Sequence, residues 1–561
     1  MSKASRTKRI LSFTLAAILA SSVVLGGCTK KSTDTSSTPT GSSTPTSTGG
    51  TVTVPENGGY TTVSYTASDD KYRNYYEIFV YSFYDSNGDG IGDFNGLTSK
   101  LDYLNDGDPS TTDDLGIDGI WLMPIMPSST YHKYNVSDYK AIDEDYGTLD
   151  DFKTFLEEAH KRGINVIIDL VINHTGIAHE WFKKAKEEVA AGNLDGYAQY
   201  YNIETGHTSS DKGWKKLSGD YYYECEFDAS MPDLNLQNED VRREIEDIVK
   251  FWLDMGVDGF RLDAVKYYDP VKEKSVEDLS WLYTYAQSVK EDVYMVGECW
   301  DGANIISDYY ESGVDSFFNF DMQGATGRVS SAVNTKQAYN YVSYLQSWQN
   351  TITANNENAI DCPFISNHDT ARSAGFFSTA EVQRMAAAYY IMSPGNPFIY
   401  YGEEISMKGS ENDPDKRLGM YWSATDSTGY VPKVTGQSGN VSTPEQSVED
   451  ALKDENSLLN FYKRLIRLKL QNPEIARGKI TDVVQLDEKG RVAAYISEYN
   501  GSKIMVIFNA DTETQSVEIP ADKFTVSEIR GYAVAGEGAE YNLTYSGTTM
   551  TIPARTVVVV K

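Results

Sequence analysis

From about Tyr75 the chain alternates short apolar runs with longer stretches in which apolar residues recur every three or four positions, the pattern of strands followed by amphipathic helices. The candidate strands are Tyr76–Tyr81, Gly119–Met123, Asn165–Val171, Gly259–Leu262, Val293–Val296, Ser316–Phe320, Phe364–Ser366 and Phe398–Tyr401. Eight strands interleaved with helices predict an α/β fold, a (β/α)8 TIM barrel, over residues 71–478. The helix read over Asp240–Met255 is representative, with Val241, Ile245, Ile248 and Trp252 on one face. One interval is out of proportion: His174 to Asp263 spans 89 positions, where a strand–helix unit needs about 30. The excess, rich in Tyr and Gly, predicts an inserted domain after the third strand, at about residues 174–236. Beyond Gly478 the period changes to two, in Arg491–Tyr499, Lys503–Asn509 and Thr556–Val560. Residues 479–561 therefore read as a separate all-β sandwich domain.

The N-terminus reads as an address. Lys3, Arg6, Lys8 and Arg9 precede an apolar stretch from Ile10 to Leu25, too short to span a bilayer, so residues 1–27 are expected to be a secretory signal. Leu25-Gly26-Gly27-Cys28 resembles the bacterial lipoprotein processing box, which implies lipidation at Cys28, a membrane-anchored extracytoplasmic protein and a new N-terminus there. An ordinary cleaved signal is the alternative. Residues 28–70, Ser/Thr/Pro/Gly-rich at first, are expected to form a tether.

Composition narrows the partners. With 81 Asp+Glu against 50 Lys+Arg in 561 residues, the net charge of −31 excludes nucleic acid and anionic headgroups as main ligands. Six His and four Cys are too few for zinc clusters. Cys225, Cys299 and Cys362 cannot all pair within one chain and read as buried thiols, with one disulfide as the alternative. The 40 Tyr lean towards a wet, ring-shaped ligand, since Tyr offers an apolar face and a polar tip.

In a barrel of this kind the chemistry sits where strands end. Strand three ends Asp169-Leu-Val-Ile-Asn173-His174, strand four Arg261-Leu262-Asp263, strand five Glu298-Cys299-Trp300 and strand seven Asn367-His368-Asp369. Asp263 and Glu298 lie 35 positions apart, one unit, and Glu298 and Asp369 lie 71 apart, two units. Independent surface acids would rarely keep that rhythm.

These segments resemble the α-amylase family of retaining glycoside hydrolases, over roughly Tyr72 to Trp422. Gly116-Ile-Asp-Gly-Ile-Trp-Leu-Met-Pro124 and Gly395-Asn-Pro-Phe-Ile-Tyr-Tyr-Gly-Glu-Glu404 belong to the likeness, and the long third loop corresponds to the family's domain B. The resemblance implies Asp263 as nucleophile, Glu298 as acid/base and Asp369 as a third carboxylate that binds sugar hydroxyls. Arg261 is expected to keep Asp263 ionised, and burial near Trp300 to keep Glu298 protonated. His174 and His368 match a pair that hydrogen-bonds the sugar, Tyr134 the aromatic that stacks on it, His132 a neighbour that assists, and Arg372 an arginine that positions the carboxylates. Met231-Pro-Asp-Leu-Asn235 resembles the motif of a branch between oligo-1,6-glucosidases and neopullulanases, and Ala264 leans towards α-1,4 bonds. Lys266-Tyr267 stands where many α-amylases have Lys-His. The implied substrate is an α-1,4-glucan or maltooligosaccharide. Rival readings are an oligo-1,6-glucosidase, neopullulanase or cyclomaltodextrinase, a transferase directed at sucrose or trehalose, an inactive starch-binding lipoprotein and a metal-dependent hydrolase. Trp214, Trp281 and Trp300 are either sugar platforms or packing residues. The sequence leaves the oligomeric state open.

Asp85, Asn87, Asp89, Ile91 (through its carbonyl) and Asp93 place oxygens at alternate positions around a Gly turn, as Ca2+ requires. Gly96 replaces the closing Glu of an EF-hand, so the loop is of another kind. It resembles the calcium loop after the first strand in the oligo-1,6-glucosidase and neopullulanase branch. An Asx-rich turn without metal is the alternative.

Overall fold

A computed structural model describes residues 52–59, 70–410, 412–438, 442–536 and 541–561. The signal at 1–27, Cys28 and most of the tether lie outside the described residues. Among the described residues no helix is long and apolar enough to cross a membrane.

In chain order the strands are β1 (Tyr75–Ile78), β2 (Gly119–Leu122), β3 (Asn165–Leu170), β4 (Ile203–Thr205), β5 (Trp214–Ser218), β6 (Tyr221–Glu224), β7 (Gly259–Leu262), β8 (Tyr294–Gly297), β9 (Ser316–Phe317) and β10 (Phe398–Tyr400). Seven of them form one parallel sheet in the order β10-β1-β2-β3-β7-β8-β9. The seventh barrel position, expected as a strand at Phe364–Ser366, is instead an irregular segment slightly earlier. The Cys362 carbonyl accepts from Asn319 at 3.0 Å and the Pro363 carbonyl from Phe398 at 3.0 Å, so the segment still bridges β9 and β10. Pro363 has no N–H to give, which explains why no continuous ladder forms there. The first strand is also shorter than expected, because the chain turns into a short helix over Val80–Phe83.

The helix Glu239–Met255 shows how sequence and packing agree. The Asn238 side chain accepts from the N–H groups of Asp240 and Val241, and the helix ends at Gly256 with φ 112°. Val241, Ile245, Ile248, Val249 and Trp252 are buried against the barrel, each contributing about 1.5–3 kcal/mol. Gly259, which opens β7, allows a close strand approach: a Cβ there would lie 1.8 Å from the Tyr294 carbonyl oxygen.

The long interval after β3 holds a small antiparallel sheet in the order β4-β6-β5. Its exit, Pro232 to Leu234, pairs back onto Asn173–Thr175: Thr175 donates to the Pro232 carbonyl at 3.1 Å and Leu234 to the Asn173 carbonyl at 2.9 Å. The insertion is thereby fastened to the rim of β3.

The C-terminal region adds β11 (Lys479–Gln485), β12 (Val492–Tyr499), β13 (Ser502–Asn509), β14 (Gln515–Glu518), β15 (Ile529–Val534), β16 (Thr544–Ser546), β17 (Thr549–Ile552) and β18 (Thr556–Val560). They form a five-stranded sheet, β11-β12-β13-β18-β15, and a three-stranded sheet, β14-β17-β16. Val484, Ile496, Met505, Ile507, Val517, Met550, Ile552 and Val558 fill the space between them. Alternate residues Tyr495, Val506, Phe508 and Val557 join the barrel's own core. That two-sided burial explains why β18 reads as an unbroken Val run. Residues 52–59, read above as tether, pack here too, with Val52 and Val54 against the sandwich interior.

Candidate active site

The site is built on neighbouring parallel strands. Asp169 of β3 is the register partner of Arg261 of β7, so both side chains point into the barrel. Arg261 is 1% exposed, and its guanidinium serves three acids. Nη1 lies 2.8 and 2.9 Å from the Asp169 oxygens and 2.7 Å from Asp263 Oδ1. Nη2 lies 3.2 Å from Glu298 Oε2. Asp263, two residues beyond Arg261, shares its face. One guanidinium thus holds Asp263 and Glu298 close together.

Ala264 then takes φ 50° and ψ 39°, a left-handed conformation unusual for a residue with a Cβ. That turn aims its N–H at Glu298 Oε2, 3.0 Å away. Burial pushes the Glu298 carboxyl up, Arg261 opposes it, Asp263 and Asp369 reinforce it, and the group titrates at about 7. Glu298 is therefore suited to carry a proton near neutrality. Trp300, expected to bury it, is 47% exposed, its ring stacked on Phe320.

Asp369 lies between two cations. Its Oδ1 is 2.8 Å from Arg417 Nη2 and its Oδ2 2.9 Å from His368 Nε2. Burial alone would raise its carboxyl, but His368, Arg417 and Arg261 outweigh that and hold it well below the usual range. Arg417 also reaches Asp413 at 3.0 Å.

These groups open into a cleft of about 400 Å3 lined by Asp263, Glu298 and Asp369, with His132, Tyr134, His174, Asp413 and Arg417, and by Phe227, Met231, Ala264 and Trp300. Phe227 is 47% exposed, so it and Trp300 give the mouth an aromatic rim. Burial lowers His174 and brings His132 down to about 4, so both imidazoles are neutral acceptors or donors at pH 7. Tyr134 lines the cleft while its hydroxyl donates to Asp169 at 3.0 Å.

Three expected residues sit differently. Arg261 and His368 lie behind the lining, Arg261 under the acids and His368 wholly buried, with both ring nitrogens engaged by protein groups. Arg372 touches none of the three acids; it donates to the carbonyls of Lys416 and Tyr401, both at 2.7 Å, and stacks on Tyr400 and Tyr401. Arg417 occupies the place foreseen for it. Lys266 pairs with Asp301 at 2.8 Å, and Tyr267 packs edge-on against Phe227.

The Asp85–Asp93 loop turns its acids onto its own backbone. Asp85 accepts from Asn87, Gly88 and Gly90, Asn87 from Asp89, Asp89 from Ile91, and Asp93 from Ser86 and Gly96. Among the described residues no three His, Cys, Asp or Glu side chains are gathered closely enough to hold a metal ion. Cys225, Cys299 and Cys362 are buried and unpaired with one another.

A sequence-family model described as the α-amylase catalytic domain matches residues 77–478, more than half of the chain. The chain belongs to the α-amylase family. It is a glycoside hydrolase. Alpha-amylase 3 of Dictyoglomus thermophilum is 37% identical over 443 residues, covering 78% of this chain and 85% of that protein. An oligo-1,6-glucosidase of Parageobacillus thermoglucosidasius is 29% identical, over 79% of this chain and 91% of that one. Among solved structures, Eubacterium rectale Amy13B superimposes with a TM-score of 0.83 at 41% identity, covering 89% of this chain and 97% of that one.

For this α-amylase-family hydrolase, the main omissions from the sequence reading are Asp169, Arg417, Asp413, Phe227 and Met231. Asp169 stood in a quoted strand end, and its register with Arg261 was the missing signal. Arg417 and Asp413 follow the eighth strand with no motif of their own.

Proposed function

We propose that this enzyme hydrolyses α-1,4-glucosidic bonds of starch, maltodextrins and related α-glucans with retention of configuration. The observation that carries the reading is the Arg261-centred pair, a carboxyl raised to about 7 at Glu298 beside Asp263, whose Oδ1 the same guanidinium meets at 2.7 Å. In the first step an Asp263 oxygen attacks the anomeric carbon as Glu298 gives its proton to the departing glycosidic oxygen, leaving a glycosyl ester. In the second, Glu298 takes a proton from water, whose oxygen displaces Asp263 and restores the α-configuration. Asp369, held ionised, accepts hydroxyls of the sugar whose bond breaks. Tyr134 gives that sugar an aromatic face, and His132 and His174 hydrogen-bond it without adding charge.

Similarity to proteins named α-amylase and oligo-1,6-glucosidase supports an α-glucan substrate, and Ala264 supports the α-1,4 assignment. The oxygens of Asp85, Asn87, Asp89 and Asp93 and the Ile91 carbonyl would hold Ca2+: they are hard donors, and Asp85 Oδ2, Asn87 Oδ1, both Asp89 oxygens and Asp93 Oδ2 each accept one hydrogen bond and so keep a further lone pair. A bound ion would clamp this loop. The N-terminal sequence supports a lipid anchor at Cys28 on the outer side of a cell membrane.

The test is to give the purified enzyme amylose, pullulan, β-cyclodextrin, isomaltose and sucrose and to follow early products by NMR. Cleavage of amylose to α-configured products is expected. Turnover of isomaltose or sucrose alone would overturn the substrate assignment, and β-configured products the mechanism.

A further inference from the structure

Glu77 lies on β1, 1% exposed, outside the cleft lining. Its Oε1 is 2.6 Å from His368 Nδ1 and also accepts the His368 backbone N–H at 3.3 Å. The other ring nitrogen, Nε2, faces Asp369 Oδ2 at 2.9 Å and the Tyr134 hydroxyl at 2.8 Å. An ionised carboxylate only accepts hydrogen bonds, and a neutral imidazole carries a single N–H. A neutral ring would therefore leave a bare nitrogen against one carboxylate, buried from water. Only the doubly protonated ring donates to both.

We propose that Glu77 is a positioning residue that holds the His368 ring doubly protonated and thereby keeps Asp369 ionised and turned into the cleft. The proposal rests on the reading of Asp369 as the carboxylate that receives sugar hydroxyls.

The remaining surroundings of His368 set the balance. Asp369 comes from its own segment. Tyr134 comes from the loop after β2, and its hydroxyl leads on to Asp169 and Arg261. Trp121 of β2 presents its ring edge-on at 5.5 Å. Arg417 donates Nε to the His368 carbonyl at 3.2 Å. Arg261 and Arg417 disfavour a further cation, so the two adjacent carboxylates must outweigh them. Burial pulls the imidazole down, while Asp369 and Glu77 lift it to about 9. Glu77 supplies the part of that lift that does not come from the cleft, which makes it removable without touching a group that meets substrate.

The test is Glu77→Gln in the full-length enzyme, with ring titrations by NMR of 13C-labelled histidine and kcat/KM on a maltooligosaccharide from pH 5 to 8.5. The His368 ring should lose its proton about two pH units lower than in the parent. Activity should fall less than about threefold at pH 5 but about tenfold or more at pH 8, moving the alkaline limb to lower pH. Glu77→Asp keeps the charge and should keep the ring protonated to nearly the parent pH, a readout that survives if the Gln variant folds poorly. An unshifted titration in Glu77→Gln, or a ring in Glu77→Asp that titrates as a free imidazole near about 6.5, would overturn the inference. So would an activity loss equal at every pH, the mark of a merely structural role. Because the titration is read without substrate, a shifted ring with an unmoved rate profile would instead sink the role given to Asp369.

Discussion

Replacing Glu298 with Gln separates the chemistry of the cleft from its effect on stability. The side chain keeps its shape, and its carbonyl oxygen can still accept the Ala264 N–H that meets Glu298 at 3.0 Å. What disappears is a proton and a charge. In the folded enzyme burial lifts this carboxyl from 4.5 to about 7. Between those values the unfolded chain releases the proton while the folded one retains it. The group's full contribution to stability is therefore present below about 4.5 and is lost as pH rises through about 7. That interval, at about 1.4 kcal/mol per pH unit, amounts to about 3 kcal/mol. The Gln variant has no such loss. Its melting temperature should match the parent at pH 4.5 and exceed it by a few degrees at pH 8, with the gap opening between about pH 5 and 7. The same variant should lose at least about a thousandfold in kcat, about 4 kcal/mol of barrier. Scanning calorimetry across pH and reducing-sugar release measure the two effects. A melting gap independent of pH, or retained activity, would refute the reasoning.

The two arginines near the seventh position should part company: Arg417→Met, which strips Asp369 of a cation, is expected to lower kcat/KM about a hundredfold, whereas Arg372→Met should mainly lower the melting temperature and leave KM within about threefold. Paired kinetics and melting curves distinguish them, and equal kinetic losses would contradict the placement of Arg372. Chelation with EDTA should lower the melting temperature and added Ca2+ restore it, while Asp89→Ser should be insensitive to both; an unmoved melting curve in the parent would remove calcium from the loop. Ala264→Val forces a β-branched residue into a left-handed turn and should destabilise the protein by about 1–2 kcal/mol, read from thermal unfolding. Product analysis on panose would show whether the proposed α-1,4 preference shifts with it.

The legible part of this molecule was what rests on local period and spacing. The strand ends carrying Asp263, Glu298 and Asp369 could be placed because a strand–helix unit has a nearly fixed length, and the helix over Glu239–Met255 was visible in its apolar stripe. The irregular seventh position was not foreseen: a strand was expected at Phe364–Ser366, and the effect of Pro363 on the ladder was read only from the structure. Arg372 was misplaced because nothing in a linear sequence says which of two arginines, 45 positions apart, reaches Asp369.

The tyrosines show the division most clearly. Their abundance suggested ring-shaped ligands, yet Tyr75, Tyr76, Tyr146, Tyr309, Tyr310, Tyr389, Tyr390 and Tyr400 are fully buried. Several serve as donors to buried acids: Tyr390 and Tyr462 to Glu403 at 2.6 and 2.8 Å, and Tyr76 and Tyr103 to Glu404, both at 2.6 Å. The sequence by itself determined the barrel, the order of its strand-end acids and the family, because backbone hydrogen bonding and apolar burial impose periods that survive in one dimension. Only the tertiary structure decided which cation meets which acid, that Glu77 stands behind His368, and where the tyrosine hydroxyls point. Such pairings depend on distances between groups hundreds of residues apart, and a buried charge or hydroxyl takes whatever partner the fold brings within about 3 Å.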